Sequence, residues 1–242
     1  NEEVVVGHTR ILRPTADPCR ALLISAAMDL PLLLAATLGA YLAGSIPFGL
    51  LVARLTGGTD PRSIGSGRTG GTNALRALGR RRAAVVSAGD ILKGTLPVLA
   101  VHSLAAQGAE IWTSTWTVIA ALFAVIGATR SIWVGFKGGR GIATGFGTAL
   151  AIAPLALAAV APIFLIVIWR TRIVSLGSLA TAALFAPALF IISYATTGML
   201  DGALIAYGIV GPALVWFAHA DNIARLRDGT ERTFDTGMLQ RD

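Results

Sequence analysis

The feature that most limits the fold of this chain is a series of six long apolar blocks separated by short basic segments. The blocks span residues 28–55, 83–106, 112–134, 142–169, 173–195 and 201–218. Each is long enough to cross a hydrocarbon core of about 30 Å, which takes about 20 helical residues. Because an isolated strand would leave its backbone unpaired in lipid, the blocks are predicted to be helices. The sequence therefore predicts an all-α, polytopic membrane protein.

Composition agrees with one membrane domain. Apolar residues make up 54% of the chain and charged residues 14%, against about 25% charged in an average soluble domain. We predict an N-terminal extension of unknown role at 1–27, an integral membrane domain at 28–234 and a tail at 235–242. The single cysteine, Cys19, forms no internal disulfide or metal site by itself. The lipid bilayer is the expected partner, with no metal, cofactor or nucleic acid.

The basic residues orient the spans, because short cytoplasmic loops are enriched in Lys and Arg. Both ends of the fourth block are basic, so a single crossing does not satisfy the rule. The block is predicted either to cross twice around Pro154, as two short helices, or to form a re-entrant hairpin. Crossing twice gives about seven transmembrane helices with a short fourth and fifth pair. The amino terminus then lies outside and the carboxyl terminus inside. The segments predicted to be cytoplasmic carry Arg62, Arg68, Arg76, Arg80, Arg81, Arg82, Lys137, Arg140, Arg170, Arg172, Arg225, Arg227 and Arg232.

The first candidate site is the glycine-rich segment IGSGRTGGTN at 64–73. Its Gly-x-Gly-x-x-Gly spacing occurs in dinucleotide-binding folds, but those place the glycines between a buried strand and a helix. Here polar, turn-forming sequence precedes the glycines, so the nucleotide interpretation is not favoured. Glycine amides together with Arg and hydroxyl groups are typical of a phosphate site; the alternative is a solvated loop whose glycines serve turns. The candidate residues are Arg62, Ser66, Gly67, Thr72 and Asn73.

The second candidate is GFKGGRG at 135–141, just before the fourth block. The amide groups at the start of a helix carry positive partial charge and favour anions. A second phosphate-binding loop is therefore predicted; the alternative is that its bases only signal topology. The candidate residues are Lys137, Gly138, Gly139, Arg140 and Gly141.

The third candidate is HADNIARLRDGTE at 219–231, after the last block. His219 and Asn222 lie three residues apart, which places them on one face of a helix. A histidine beside a carboxamide suits proton transfer and hydroxyl orientation. The alternative is a surface histidine on an amphipathic helix.

Polar residues within the apolar blocks add further candidates, because such residues are costly in lipid and face the protein interior. Ser45 lies beside Pro47, which interrupts the first block. Ser175 and Ser178 either donate to an anion or serve as small residues at a helix contact. Asp90 and Lys93, three residues apart, are interpreted as an internal ion pair.

These segments resemble a known family, the bacterial membrane-integral glycerol-3-phosphate acyltransferases that use acyl phosphate. The resemblance runs from Met28 to Phe234. It implies seven spans in the bacterial inner (plasma) membrane and an active site facing the cytoplasm. It also implies synthesis of lysophosphatidic acid from acyl phosphate and glycerol 3-phosphate, without acyl-CoA or acyl carrier protein. It is carried by GSIPFGLL (44–51), DPRSIGSGRTGGTNALR (60–76), DILKG (90–94), GFKGGRGIAT (135–144), VSLGS (174–178) and HADNIARLRDGTE (219–231).

The resemblance also implies residue roles. Ser45 and Arg62 would be the serine and arginine of the family's first motif, and 137–141 its phosphate loop. His219 and Asn222 would belong to the third motif, with Glu231 in a structural role. The chain departs from the usual pattern at three positions: Arg68 stands where asparagine is usual, Ala128 where histidine is usual, and Ala218 where arginine is common.

The expected chemistry is acyl transfer from a mixed anhydride, in which two phosphates must be held and a developing oxyanion stabilised. His219, oriented by Asn222, either positions or deprotonates the glycerol hydroxyl, or binds the substrate; Asn222 and Ser45 are the other catalytic candidates. In the second case the phosphate of the substrate takes the proton. A transporter of organic phosphates is the main alternative, and a non-catalytic scaffold is a third.

Overall fold

The computed structural model describes residues 3–6, 9–12, 18–108 and 113–233, with side chains from residue 30 onward except that of residue 108. Two short strands, β1 (Glu3–Val6) and β2 (Thr9–Leu12), pair in an antiparallel hairpin inside the predicted extension. Everything else of regular structure in the described ranges is helical, so the all-α prediction holds for the membrane domain. The predicted tail at 235–242 and the Cys19 side chain lie outside the described residues.

Ten α-helices follow the hairpin in the described part of the chain. The first begins well before the predicted start at Met28, with proline at its first position, where a missing amide hydrogen has no cost. Two 3-10 turns, Pro61–Ser63 and Ile132–Val134, lie in the loops. The helices are α1 (Pro18–Gly44), α2 (Phe48–Leu55), α3 (Gly71–Leu78), α4 (Arg80–Gly108), α5 (Thr113–Thr129), α6 (Ile142–Ile152), α7 (Pro154–Thr171), α8 (Val174–Thr197), α9 (Gly202–Ala218) and α10 (Ala220–Arg227).

Three breaks divide the apolar blocks, and two of them were predicted from proline. α1 and α2 meet at Pro47 with a bend of 53°, and α9 and α10 meet at His219 with a bend of 63°. The fourth block divides between α6 and α7 at Ala153, directly before Pro154. Broken helices of this kind expose backbone groups, which need protein or water as partners.

The number of spans depends on how these broken helices are counted. Four helices in the described residues are long and apolar enough to cross a membrane, and six elements are if each bent pair is one span. α6 has 11 residues, about 16 Å of helix, roughly half of a hydrocarbon core. The count of seven, and the choice between two short crossings and a re-entrant hairpin, stay predictions.

Small residues bring α6 close to α4. A side chain on Gly94 would collide with the carbonyl of Thr144, and one on Gly147 with the carbonyl of Ile91. The hydroxyl of Thr95 donates to the Gly147 carbonyl across the same contact at 2.9 Å. Glycine at helix contacts allows this backbone approach in membranes. The amino end of α6 is thereby fixed against α4.

The predicted ion pair between Asp90 and Lys93 is present. Lys93 Nζ lies 2.6 Å from Asp90 Oδ1, and both side chains are about nine-tenths buried. The same ammonium donates to the Ile46 carbonyl at 2.8 Å. That carbonyl belongs to the break before Pro47, where no regular helical donor is available. The pair therefore joins α4 to the α1–α2 break.

We expect Lys93→Met to lower the free energy of unfolding by about 3–5 kcal/mol, because it leaves Asp90 buried without its cation. Thermal unfolding in detergent would measure the loss. Adding Asp90→Asn to Lys93→Met should recover much of it, since the uncompensated charge is then removed. Replacing exposed Arg54 by Met is a matched control. Equal stability of Lys93→Met and the unsubstituted protein would contradict this role.

Candidate active site

A cavity of about 540 Å³ opens where α3, the start of α4, α6, α8 and the α9–α10 break meet. Five arginines and one carboxylate line it, so the cavity is strongly electropositive. The helices α3, α4, α8 and α10 supply eight of the polar side chains, and the loops and helix breaks supply the other six. The polar lining residues are Ser66, Arg68, Thr72, Asn73, Arg76, Arg80, Ser87, Arg140, Ser175, Ser178, His219, Asn222, Glu231 and Arg232.

The two glycine-rich loops lie against each other at one side of this cavity. A side chain added at Gly139 would come into contact with Thr69 and Gly70. Arg68 Nη1 also reaches the Gly138 carbonyl, at 3.5 Å. Segments about 70 residues apart in the chain thus form one wall.

Asn73 organises the first loop from within. Its Nδ2 donates to Ser66 Oγ at 3.0 Å and to the Arg68 carbonyl at 2.9 Å. Its Oδ1 accepts from the Ser66 amide at 3.4 Å and from Arg76 Nη1 at 3.2 Å. Both amide atoms are therefore occupied inside the loop. Asn73 shapes the loop and presents Ser66 and Arg76, and it keeps no free donor for an anion.

The second loop uses two of its glycine amides to cap α5. The Gly138 amide donates to the Thr129 carbonyl at 3.2 Å, and the Gly139 amide to the Ala128 carbonyl at 2.8 Å. These bonds satisfy carbonyls that every helix end leaves without a partner. Gly141, at φ +75°, then turns the chain into α6. The first turn of α6 borders the cavity at Ile142 and Ala143.

His219 lies at the α9–α10 break, 2% exposed. Its Nδ1 is 2.8 Å from the Val215 carbonyl. A carbonyl can only accept, so Nδ1 carries the proton of the neutral ring and Nε2 is left as an acceptor. Burial lowers the pKa of His219 to about 4. The ring is consequently neutral near pH 7.

Glu231 holds three polar side chains with one carboxylate. Its Oε1 accepts from Ser175 Oγ at 3.0 Å and from Asn222 Nδ2 at 2.6 Å. Its Oε2 accepts from Arg225 Nε at 2.8 Å. Ser175 therefore serves this cluster, and Asn222 contacts Glu231 instead of orienting the His219 ring as the sequence suggested. Ser178 donates to the Val174 carbonyl one turn earlier in α8, at 3.0 Å.

The amide of Asn222 is fixed by this contact, because only its NH₂ group can donate to a carboxylate. Its Oδ1 is buried and has no hydrogen-bond partner in the structure. The residue is 1% exposed and borders the cavity. Buried polar atoms without partners are rare and call for an explanation.

Arg140 carries the second unpaired group. Its Nη2 binds Asp221 Oδ2 at 3.0 Å, while its Nε is buried without a partner. Burial lowers the pKa of Arg140 from its usual value, Asp221 opposes this, and the charges of Arg68 and Arg225 add to the lowering. The guanidinium remains charged, because arginine stays protonated in proteins. Two residues that border the cavity therefore each carry a buried polar atom without a partner, a donor in Arg140 and an acceptor in Asn222.

Seven predicted site residues, three with side chains and four glycines, do not border the cavity. Ser45 is buried and donates to the Tyr41 carbonyl at 2.8 Å. Arg62 pairs with Asp60 at 2.7 Å on the surface, and Lys137 is exposed. Of the glycines, Gly67, Gly138, Gly139 and Gly141 also lie outside the lining.

Four of the five arginines that border the cavity were not among the predicted site residues. Arg68 and Arg76 lie in the quoted first motif, and Arg80 begins α4. Arg76 follows Asn73 by three residues in α3, which is the spacing of a shared helix face. From that spacing Arg76 could have been selected from the sequence. No comparable sequence signal pointed to Arg232, which directly follows Glu231.

A second, apolar cavity of about 60 Å³ adjoins the first. The two share Ile142, Phe146 and Ser178 in their walls. Phe185 and Tyr207 pack edge to face in its wall with ring centres 5.8 Å apart. The Tyr207 hydroxyl is 2.9 Å from Thr148 Oγ1. An electropositive cavity and an apolar one are therefore adjacent.

In the described side chains, no group of three or more His, Cys, Asp or Glu comes together in a way that could hold a metal ion.

Known proteins share this sequence and fold. The sequence profile of the family described as "Glycerol-3-phosphate acyltransferase" matches residues 34–229. A glycerol-3-phosphate acyltransferase of Geotalea daltonii is 41% identical over 197 residues, 81% of this chain and 95% of the relative. One from a Synechococcus strain is 45% identical over 199 residues, 82% of this chain and 92% of the relative.

Two solved structures are also similar. A crystal structure of PlsY, an integral membrane glycerol 3-phosphate acyltransferase in its glycerol 3-phosphate form, has a TM-score of 0.76 and 33% identity. It covers 87% of this chain and 99% of that protein. The lysophosphatidic acid form has a TM-score of 0.74 with the same identity, covering 86% and 98%. The chain belongs to the glycerol-3-phosphate acyltransferase family.

Proposed function

We propose that this protein transfers a fatty acyl group from acyl phosphate to a hydroxyl of glycerol 3-phosphate. The products are lysophosphatidic acid and inorganic phosphate, and the reaction is the first step of phospholipid synthesis. The observation that carries the proposal is the match between the unpaired groups of the cavity and glycerol 3-phosphate. His219 Nε2 and Asn222 Oδ1 accept from hydroxyls, and Arg140 Nε donates to a phosphate oxygen.

The charge of the cavity supports two phosphate groups. Two phosphate monoesters carry about three to four negative charges near pH 7. Five arginines and one carboxylate border the cavity. With both substrates bound, that positive charge would be nearly neutralised. An acyl-CoA or carrier-protein donor would bring a much larger head group than the acyl phosphate proposed here.

The adjacent apolar cavity supports a fatty acyl donor. A tail entering past Phe146 would place the acyl carbonyl near Ser178 and Ile142, where the two cavities join. Burial of each methylene contributes about 0.8 kcal/mol. A chain of this kind would therefore bind mainly through its tail, with the phosphate fixing its position.

The reaction is an acyl transfer between two oxygens. The glycerol hydroxyl oxygen attacks the acyl carbonyl carbon, and the bond from that carbon to the phosphate oxygen breaks. The leaving phosphate takes the bonding electrons, and the hydroxyl proton goes to a base. Arginines and the amino end of α6 offset the developing negative charge.

His219 is better suited to bind the hydroxyl than to remove its proton. Its pKa of about 4 lies below the second pKa of a phosphate monoester, about 6. A weaker base takes a proton less readily at neutral pH. We assign His219 Nε2 as the hydrogen-bond acceptor that positions the glycerol hydroxyl, and a substrate phosphate as the base.

The arginines of this cavity also support a site facing the cytoplasm of a bacterial inner membrane. Arg68, Arg76, Arg80, Arg140 and Arg232 all border it, and cytoplasmic loops are the ones enriched in such residues. The cytoplasm is also where a water-soluble glycerol phosphate is available to the enzyme.

The decisive experiment uses the full chain purified in detergent. Palmitoyl phosphate and glycerol 3-phosphate should give lysophosphatidic acid and one equivalent of inorganic phosphate, whereas palmitoyl-CoA should not replace the donor. Activity with palmitoyl-CoA alone would overturn the donor assignment. Uptake of unchanged glycerol phosphate into sealed vesicles, without acyl transfer, would favour the transporter instead.

His219→Ala should raise the KM for glycerol 3-phosphate about 10- to 100-fold, as expected for one lost hydrogen bond to a buried acceptor. The kcat should change much less. His102→Ala is the matched control, since His102 is exposed and does not border the cavity. A large fall in kcat with an unchanged KM would identify His219 as the base.

The pH dependence gives a second test of the same assignment. The folded-state pKa of His219 is lowered, so its neutral form persists as pH falls below the usual 6.5 and is lost only near about 4. Activity limited by the substrate phosphate should instead decline below about pH 6. We expect the decline near 6 in the kcat profile. A profile flat down to about 4 would return the base role to His219.

Gly145→Leu should discriminate against long acyl chains. Gly145 borders the apolar cavity, and a side chain there meets no atom within 4 Å, so it can be accommodated but would occupy the cavity. The KM for palmitoyl phosphate should rise relative to that for octanoyl phosphate. Gly39→Leu, on exposed α1 surface with equal room, is the matched control. Equal effects of both variants on both donors would place the tail elsewhere.

A further inference from the structure

Arg68 occupies an unusual electrostatic position in this cavity. It lies between the two glycine-rich loops and is partly buried. Among the described residues, the hydrogen bond that its side chain forms is the long one to the Gly138 carbonyl, at 3.5 Å. No carboxylate of the described residues forms an ion pair with it, unlike Arg62, Arg140 and Arg225.

Arg140 is a source of like charge in the same cavity. Both guanidinium groups border the same cavity, and the charge of Arg68 contributes to lowering the pKa of Arg140. One carboxylate, Asp221, serves both Arg140 and Arg225. Arg68 has no such counter-ion among the described residues, so its charge and that of Arg140 repel each other unless an anion lies between them.

The unused donors of the pair point to the kind of anion. Arg140 Nε is buried without a partner. Arg68 uses one of its five N–H groups, weakly, on a neutral carbonyl. Tetrahedral phosphate accepts from several guanidinium N–H groups at once, and two forks on one phosphate are a strong arrangement.

We propose that Arg68 and Arg140 together bind one phosphate group of the reacting substrates, so that Arg68 is a substrate-binding residue. The inference rests on the proposed function and adds a specific ligand to it. The phosphate belongs either to glycerol 3-phosphate or to the acyl donor, which present the same chemistry to the two guanidinium groups.

The test replaces Arg68 by Met, which keeps a side-chain stem of similar length and removes the charge. The KM for each substrate is measured with the other saturating. A rise of about 10- to 100-fold in one KM is expected from loss of a charge-assisted contact, and the substrate affected identifies the phosphate. Arg68→Lys should be intermediate, because it keeps the charge without the planar fork.

Arg81→Met is the matched control, because Arg81 is exposed at the start of α4 and does not border the cavity. It should leave both KM values unchanged. If Arg68→Met also leaves both unchanged, or lowers only kcat and the melting temperature, Arg68 is a structural tether of the loop and the proposal is overturned.

A binding measurement separates this inference from the proposed function. Inorganic phosphate should raise the melting temperature of the unsubstituted protein by binding the folded state. The rise should be smaller for Arg68→Met and unaltered for Arg81→Met. Absence of acyl transfer in the unsubstituted protein would overturn the proposed function while leaving this measurement valid. Equal phosphate stabilisation of Arg68→Met and the unsubstituted protein would overturn the role of Arg68.

Discussion

The carboxylate of Glu231 is the contact on which the rest of the site depends. It joins the start of α8 to α10 through Ser175, Asn222 and Arg225. In a setting with little water, such a network is strong when every member has its partner. By taking the NH₂ group of Asn222, the carboxylate leaves the carbonyl oxygen of that amide without a partner in a residue that borders the cavity. Glu231 therefore fixes both the position of α10 and the orientation of the Asn222 amide.

Broken helices make this arrangement possible inside a membrane. The bend at His219 ends α9 and lets α10 lie against the cavity, which Asn222 borders. The bend at Pro47 is held by Lys93, and α6 is half the length of a span. In each case the irregular backbone is covered by protein, as a low-dielectric surrounding requires. The fold places its interruptions where the polar chemistry is.

Sequence reasoning predicted the helices, the breaks at Pro47 and Pro154 and the Asp90–Lys93 pair, because length, proline and buried charge are local signals. It also selected His219, Asn222 and Arg140, which the structure places at one cavity. It selected Arg62 and omitted Arg68, although of the two only Arg68 borders that cavity, since residue type and spacing do not show which way a loop turns. The amides of Gly138 and Gly139 were expected to face an anion and instead cap α5, a competition that depends on tertiary contact. Two of the departures from the family pattern meet at this dipeptide: Ala128 through its carbonyl and Arg68 through its guanidinium.

The shared wall between the two cavities has a consequence for how the two products leave the protein. In the proposed reaction, one reactant dissolves in water and the lipid product dissolves in the leaflet. Ile142, Phe146 and Ser178 stand where these two solvents would meet. A lysolipid formed there departs sideways into a large volume of hydrocarbon while phosphate departs into water. Partition between two phases, without any moving part, then keeps the two products from recombining.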